Sequence, residues 1–258
     1  MNQNFTDIYS NSIKKPEEFW KKVSEDIFWF KKPTKILNSS NPPFYKWYED
    51  GVTNTCYNAL DIHIDNGRAD KNALIYDSPV TGNKNKFTYK ELTEKVSKFA
   101  GALQNQGIKK GDRVIIYMPM IPEAVIGMLA CARIGAIHSI IFGGFSPDSI
   151  SGRINDCKSD YVITADEGVR GGKIISLKQI VDTALKKCPD VKKCIVVKRT
   201  GNKVDWVESR DLYLDDEMSS VDNICEPEEM SAEDPLFILY TSGSTGKPKG
   251  VLHTTGGY

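Results

Sequence analysis

From Lys84 onward the apolar positions alternate between short strand-like runs and stretches with helical spacing. Lys86-Phe-Thr-Tyr89 reads as a strand, and Thr88 with Glu91 forms a capping-box signature for a helix over Tyr89–Gln106. Along that helix Leu92, Val96, Phe99, Ala100 and Leu103 recur on one face until Gly107 ends it. Arg113–Met118 is apolar on both faces, as a strand inside a parallel sheet is. Pro122 opens a helix through Ile134, Gly135 closes it, and Ala136–Phe142 is the next strand, a βαβ unit expected to cross over right-handedly. The unit then repeats. Ser146 caps and Pro147 begins a helix to about Cys157, Tyr161–Asp166 is a strand, Ile174–Lys187 a helix, and Val191–Lys198 a further strand. This alternation predicts an α/β fold of open, mostly parallel sheets with helices on both faces.

Outside that region the pattern weakens. Residues 1–70 are aromatic and irregular, with Phe19-Trp20, Phe28-Trp29-Phe30 and Trp47-Tyr48, and they read as a helical and irregular segment wrapping the core. Residues 199–235 read as peripheral. Trp206 and Arg210-Asp211 are expected in a charged surface hairpin or short helix, and Leu214–Asp234 is expected to be a solvated acidic connector. The predicted division is therefore 1–70 and 71–258.

The most informative stretch lies near the end of the sequence. Leu236–Tyr240 is an apolar β-former run, Thr241-Ser-Gly-Ser-Thr-Gly-Lys-Pro-Lys-Gly250 is a loop, and Val251–Thr254 is β-like again, giving strand, loop, strand. Gly243, Gly246 and Gly250 let main-chain amides approach a bulky anion. Thr241, Ser242, Ser244 and Thr245 add hydroxyl donors, and Lys247 and Lys249 add charge. A Walker A loop would need glycine where Thr241 stands and serine or threonine where Pro248 stands, so this is a different phosphate loop. Two earlier turns also suit ligands. Gly143-Gly144 precedes a helix start, and Glu167-Gly-Val-Arg170-Gly171-Gly172-Lys173 brings glycines and two cations ahead of another, a place for a second phosphate group.

The run Tyr240–Gly250 resembles the phosphate-binding signature of the AMP-forming acyl-CoA synthetases, the adenylate-forming superfamily. The wider run from Glu233 to Tyr258 resembles the acetyl-CoA synthetases among them. The resemblance covers roughly residues 40 to 258. It implies the large-domain fold of adenylate-forming enzymes, incomplete at its carboxyl end, with ATP phosphates held by Thr241, Ser242, Gly243, Ser244, Thr245, Gly246 and Lys247. Ala165–Arg170 resembles the segment in which the family's Arg-Ala-Gly-Arg run holds the phosphates of coenzyme A, so Arg170, Gly171, Gly172 and Lys173 are implied CoA contacts. Here Lys173 replaces the second arginine and loses its bidentate fork. The implied reaction joins acetate to ATP, giving acetyl-AMP and diphosphate, and CoA then displaces AMP. Mg²⁺ is implied with ATP, its ligands lying outside this sequence. The same holds for the adenylation lysine, so no catalytic residue is assigned here. The expected protein is the amino-terminal part of such a ligase, inactive by itself. The alternatives are a short binding or interaction protein of the same family, or a propionate ligase.

Composition narrows the rest. Lys+Arg and Asp+Glu are both 34 in 258 residues, so no global field attracts nucleic acid or anionic lipid. The start of the sequence has no signal-peptide pattern, and Val114–Phe145 is too interrupted by Pro119, Pro122, Glu123 and Arg133 to span a bilayer. A cytoplasmic protein with small-molecule partners is expected, its oligomeric state open. Six scattered cysteines without a C-x-x-C pair read as unreactive thiols, and His63 and His253 lack partners for metal binding or catalysis.

Overall fold

A computed structural model describes residues 4–222, 224–242 and 246–258. Helix α1 (Tyr89–Asn105) begins at the capping box. Thr88 Oγ1 accepts from the Glu91 amide at 3.2 Å, and the Glu91 carboxylate accepts from the Thr88 amide at 2.8 Å. Strand β1 (Arg113–Met118), helix α2 (Pro122–Arg133), strand β2 (Ile137–Phe142), helix α3 (Pro147–Cys157) and strand β3 (Tyr161–Ala165) follow in the predicted order. Then come α4 (Leu177–Leu185), β4 (Lys193–Val197), β5 (Asp211–Tyr213), α5 (Leu214–Ser219), β6 (Pro235–Thr241) and β7 (Lys249–Thr254).

The strands form one sheet in the order β5-β4-β3-β1-β2-β6-β7, parallel except for the antiparallel β6–β7 pair. Strand β1 is buried along almost its whole length and touches α2 from one helix group and α3 and α4 from another, so helices cover both its faces. The chain leaves β1 toward β2 and then returns past β1 to β3, and this reversal creates a crevice at the carboxyl ends of β1 and β3.

The amino-terminal region carries its own small core of Trp29, Ile36 and Tyr48, closed by Ala232 from the other end of the sequence. It joins the sheet layer through the carboxyl end of α2. Arg133, 1% exposed, donates to both carboxylate oxygens of Asp61 at 2.8 and 3.0 Å and to the Cys225 carbonyl at 2.5 Å. Asn54 Nδ2 adds bonds to the carbonyls of Ala132 and Glu228. In residues 225–232 the carboxylates Glu226, Glu228 and Glu229 are exposed, as expected of a solvated acidic run, but the stretch is anchored around them. Cys225, Met230 and Ala232 are buried, because this stretch is the strap between α2 and the amino-terminal region.

Two further expectations change. The helix expected from Ile174 starts at Leu177, because residues 168–175 pair with themselves as a hairpin, Gly168–Arg170 against Lys173–Ile175. Asp211 is not on a charged surface hairpin: it begins β5 and is 2% exposed. Lys178 reaches it at 2.8 Å and Arg210 at 2.6 Å, and Lys178 also meets Asp182 at 2.7 Å. Burial alone would raise the Asp211 carboxyl, but the bonds from Arg210 and Lys178 reverse this and hold it below the usual range. The six cysteines are free thiols, as expected, and among the described residues no helix is long and apolar enough to cross a membrane.

Arg133→Met should lower the unfolding free energy by about 3 kcal/mol, since it strands Asp61 and a buried carbonyl together, and a urea titration reads this directly. A pH effect is expected from β2. His138 is buried with Nδ1 lacking a partner, and burial pulls its imidazole from 6.5 down to about 4. The unfolded chain takes up this proton first as pH falls. Stability from His138 is thus fully present above pH 6.5 and is lost by about 3 kcal/mol on descending to pH 4. His138→Leu should flatten that limb of the stability–pH curve, measured as the difference between the two proteins.

Candidate functional site

Three turns leave the carboxyl edge of the parallel strands, and each carries residues singled out in the sequence. The first follows β2. A side chain on Gly143 would sit 3.1 Å from the Met118 carbonyl, a tight contact that glycine avoids where this turn crosses the end of β1. Tyr117 holds the turn from below by donating its hydroxyl to the Phe145 carbonyl at 3.1 Å.

The second turn follows β3. Gly171 and Gly172 lie at φ 55° and 74°, the pair of positive angles that a two-residue hairpin of the primed type requires. Arg170 and Lys173 face each other across this tip, so the turn is a hairpin and not the opening of a helix. All four residues are exposed. The base of the hairpin is fixed by Asp166, 1% exposed, whose carboxylate accepts amides from Glu167 at 2.6 Å, Arg199 at 2.9 Å, Thr200 at 3.1 Å and Gly201 at 2.8 Å. Arg170 then leans back over the first turn. Its guanidinium lies 5.4 Å from the Phe142 ring centre, and a side chain on Gly144 would lie 3.0 Å from its Nη1.

The third turn is the glycine-rich loop. Strands β6 and β7 close on it in the predicted strand–loop–strand arrangement, with Thr241 opposite Lys249 and Tyr240 opposite Gly250. Thr241, Ser242, Gly246, Lys247 and Lys249 are exposed, and Gly246 has φ +81°. Gly243, Ser244 and Thr245 lie outside the described residues. Because β6 runs parallel to β2, the loop emerges on the same edge as the other two turns.

Arg153 connects the first turn to the third. On α3 it shares a face with Ile150 and Ile154, and its guanidinium lies 4.9 Å from the Phe145 ring centre and 5.3 Å from that of Tyr240. The Tyr240 hydroxyl in turn donates to Asp156 at 2.6 Å, and burial followed by this bond pushes the phenol above its ordinary value. Sequence reasoning passed over Arg153. The available signal was an arginine on the apolar stripe of a helix that follows a ligand-type turn. His253 stacks on Phe237 at 4.5 Å and His63 receives Arg68 at 2.6 Å, so neither joins the three turns. A separate apolar cavity of about 620 Å³, lined by Trp20, Trp29, Trp47, Tyr48 and Tyr258, shares no residue with them.

The arrangement presents two exposed cationic turns, backbone glycines and hydroxyls at the edge where open α/β sheets take ligands. Those donors match anionic groups. Among the described residues no three His, Cys, Asp or Glu gather to hold a metal ion.

A profile described as AMP-binding enzyme matches residues 63–258, and one described as Acetyl-coenzyme A synthetase N-terminus matches residues 5–59. The chain belongs to the AMP-binding enzyme family. Among individual proteins, the acetyl-coenzyme A synthetases of Brucella canis and Brucella abortus are 55% identical to it over 263 residues, covering 100% of this chain and 40% of each relative. A solved structure, acetoacetyl-CoA synthetase from Streptomyces lividans, superposes with TM-score 0.89 at 26% identity, covering 99% of this chain and 39% of that one. The chain thus spans about 40% of the length of the curated relatives it matches.

Replacing Asp166 by Ala removes the acceptor of four backbone amides at once. The unfolding free energy should fall by about 2 to 3 kcal/mol, and hydrogen exchange should rise at Thr200 and Gly201 before it rises in β3.

Proposed function

We propose that this chain supplies the phosphate-binding and CoA-binding part of an AMP-forming acetate–CoA ligase, which joins acetate and ATP to acetyl-AMP and diphosphate and then transfers the acetyl group to CoA. The observation that carries the reading is the emergence of two separate cationic turns on one sheet edge, Arg170–Lys173 and Thr241–Lys249. A reaction using a nucleoside triphosphate and a phosphorylated thiol needs two such anion sites that do not compete. Identity of 55% to acetyl-coenzyme A synthetases supports acetate as the acyl substrate.

In this reading Thr241, Ser242, Gly243, Ser244, Thr245, Gly246 and Lys247 receive the ATP phosphates, and Arg170, Gly171, Gly172 and Lys173 receive the phosphates of CoA. Hydroxyls and amides orient the triphosphate, while the Lys247 ammonium meets the charge that builds on departing diphosphate. Arg170 rests over the Phe142 ring and presents a guanidinium able to meet a phosphate through two N–H groups. Mg²⁺ would arrive on the oxygens of ATP, since the loop offers hydroxyl and cationic groups rather than a carboxylate set. We further propose residues 1–70 as a segment wrapping the large domain that begins at residue 71, and a cytoplasmic location.

The test uses the product of the whole reading frame containing residues 1–258. Lys247→Ala should lower kcat for acetate-dependent ATP–diphosphate exchange by roughly 10- to 1000-fold, the range for losing one electrostatic donor. Arg170→Ala should raise KM for CoA while leaving that exchange nearly intact, because only thioester formation needs CoA. Equal loss of both half-reactions in Arg170→Ala would overturn the assignment.

A further inference from the structure

Between the two anion-binding turns stands a cation without a carboxylate. Arg153 is 8% exposed, yet among the described residues no Asp or Glu lies within ion-pair reach of it. Its Nη1 donates to the Ser149 carbonyl at 2.8 Å and to the Ser149 hydroxyl, one turn earlier in α3. Two aromatic rings also lie against the guanidinium, Phe145 with its centre at 4.9 Å and Tyr240 with its centre at 5.3 Å. A buried cation is expensive unless something fixes its surroundings, and here two ring faces do so.

Both aromatic residues are themselves anchored, Phe145 through its main chain and Tyr240 through its hydroxyl. Tyr117 bonds the Phe145 carbonyl, and Asp156 bonds the Tyr240 hydroxyl. Gly250, opposite Tyr240 on β7, lies so close that a side chain there would come within 3.2 Å of the tyrosine ring. Tyr240 directly precedes Thr241, the first residue of the glycine-rich loop. Phe145 meets Phe142 edge-on at 6.2 Å, and Phe142 carries Arg170. The contacts therefore run without a gap from the loop strand to the CoA-type turn: Tyr240, Arg153, Phe145, Phe142, Arg170.

We propose that Arg153 is a positioning residue that locks the β6–β7 hairpin to the turn after β2, so that the two anion sites keep one mutual geometry. Only the identity of the ligands rests on the function proposed above. The mechanical link between the two turns does not depend on it. Arginine suits the role because its flat guanidinium stacks on two rings at once, whereas lysine presents a point charge on a flexible stem.

The test compares Arg153→Met, Arg153→Lys and Tyr240→Phe in two settings. In residues 1–258, hydrogen exchange is followed in peptides covering Phe142–Phe145, Leu236–Ser242 and, as a control, α1. Arg153→Met should speed exchange in the first two peptides together, by about tenfold, and leave α1 unchanged. Arg153→Lys should recover only a small part, and Tyr240→Phe, which keeps the ring and loses the Asp156 bond, should shift both in the same direction by less. In the whole reading-frame product, Arg153→Met should lower kcat for diphosphate exchange about 10- to 100-fold with KM for acetate changed less than about threefold.

Exchange that rises in α3 alone, or evenly across the chain, would show a merely structural arginine and overturn the proposal, as would full recovery by lysine. If Arg153→Met does not fold, the Tyr240→Phe comparison decides by the same criterion. Absence of diphosphate exchange in the unsubstituted product would count against the proposed function, and the exchange of the two peptides would still decide the role of Arg153.

Discussion

The fold depends on one buried ion pair. Arg133 stands at the end of α2, inside the contact between the sheet layer and the amino-terminal region, and its guanidinium has nowhere to go except to Asp61, the Cys225 carbonyl and the Cys56 thiol. Removing a guanidinium from water demands that every donor be met. That demand ties together three stretches far apart in sequence: residues 54–61, the end of α2, and the strap from Cys225 to Ala232. The strap in turn completes the small aromatic core around Trp29 and Tyr48, so a polar requirement at one point decides how apolar surfaces elsewhere are closed.

With that layer fixed, the parallel sheet does what its topology dictates. Its carboxyl edge gathers the ends of β1, β2, β3 and β6, and the chain spends its glycines and cations there. The positions of the turns follow from crossovers of alternating direction, while their details follow from close approach. Gly143 passes the Met118 carbonyl, and Gly144 leaves room for Arg170.

Much of this was legible in the sequence, for a physical reason. Helix caps are local, so Thr88 with Glu91 and Ser146 with Pro147 marked the starts of α1 and α3 to the residue. The buried strands were legible because they are apolar on both faces. What escaped were features decided at a distance. Asp211 looked like surface charge because its partner Lys178 lies on a helix about thirty residues earlier, and Arg153 looked like an ordinary helix arginine because its two rings come from outside its helix. The hairpin at Gly171-Gly172 is a different case. Its two-glycine turn signal was present, but the apolar spacing from Ile174 onward imitated an early helix start.

The pairing of the last two strands bears on how the molecule folds and comes apart. Strand β6 lies beside its parallel neighbour β2, with Phe237 in register with His138, about 100 residues apart along the chain. By contrast, β1 and β2 are paired at every position from Arg113 to Met118, across one short helix. Contacts of long sequence separation close late, after the entropy of the intervening loop has been lost. The β6–β7 hairpin is therefore expected to dock last onto the sheet and to leave it first. A partly unfolded molecule of this kind would keep its βαβ core and its hydrophobic interior, yet present the glycine-rich loop detached from the edge that gives it meaning. Under the proposed function, loss of phosphate affinity should then precede any loss of helix signal.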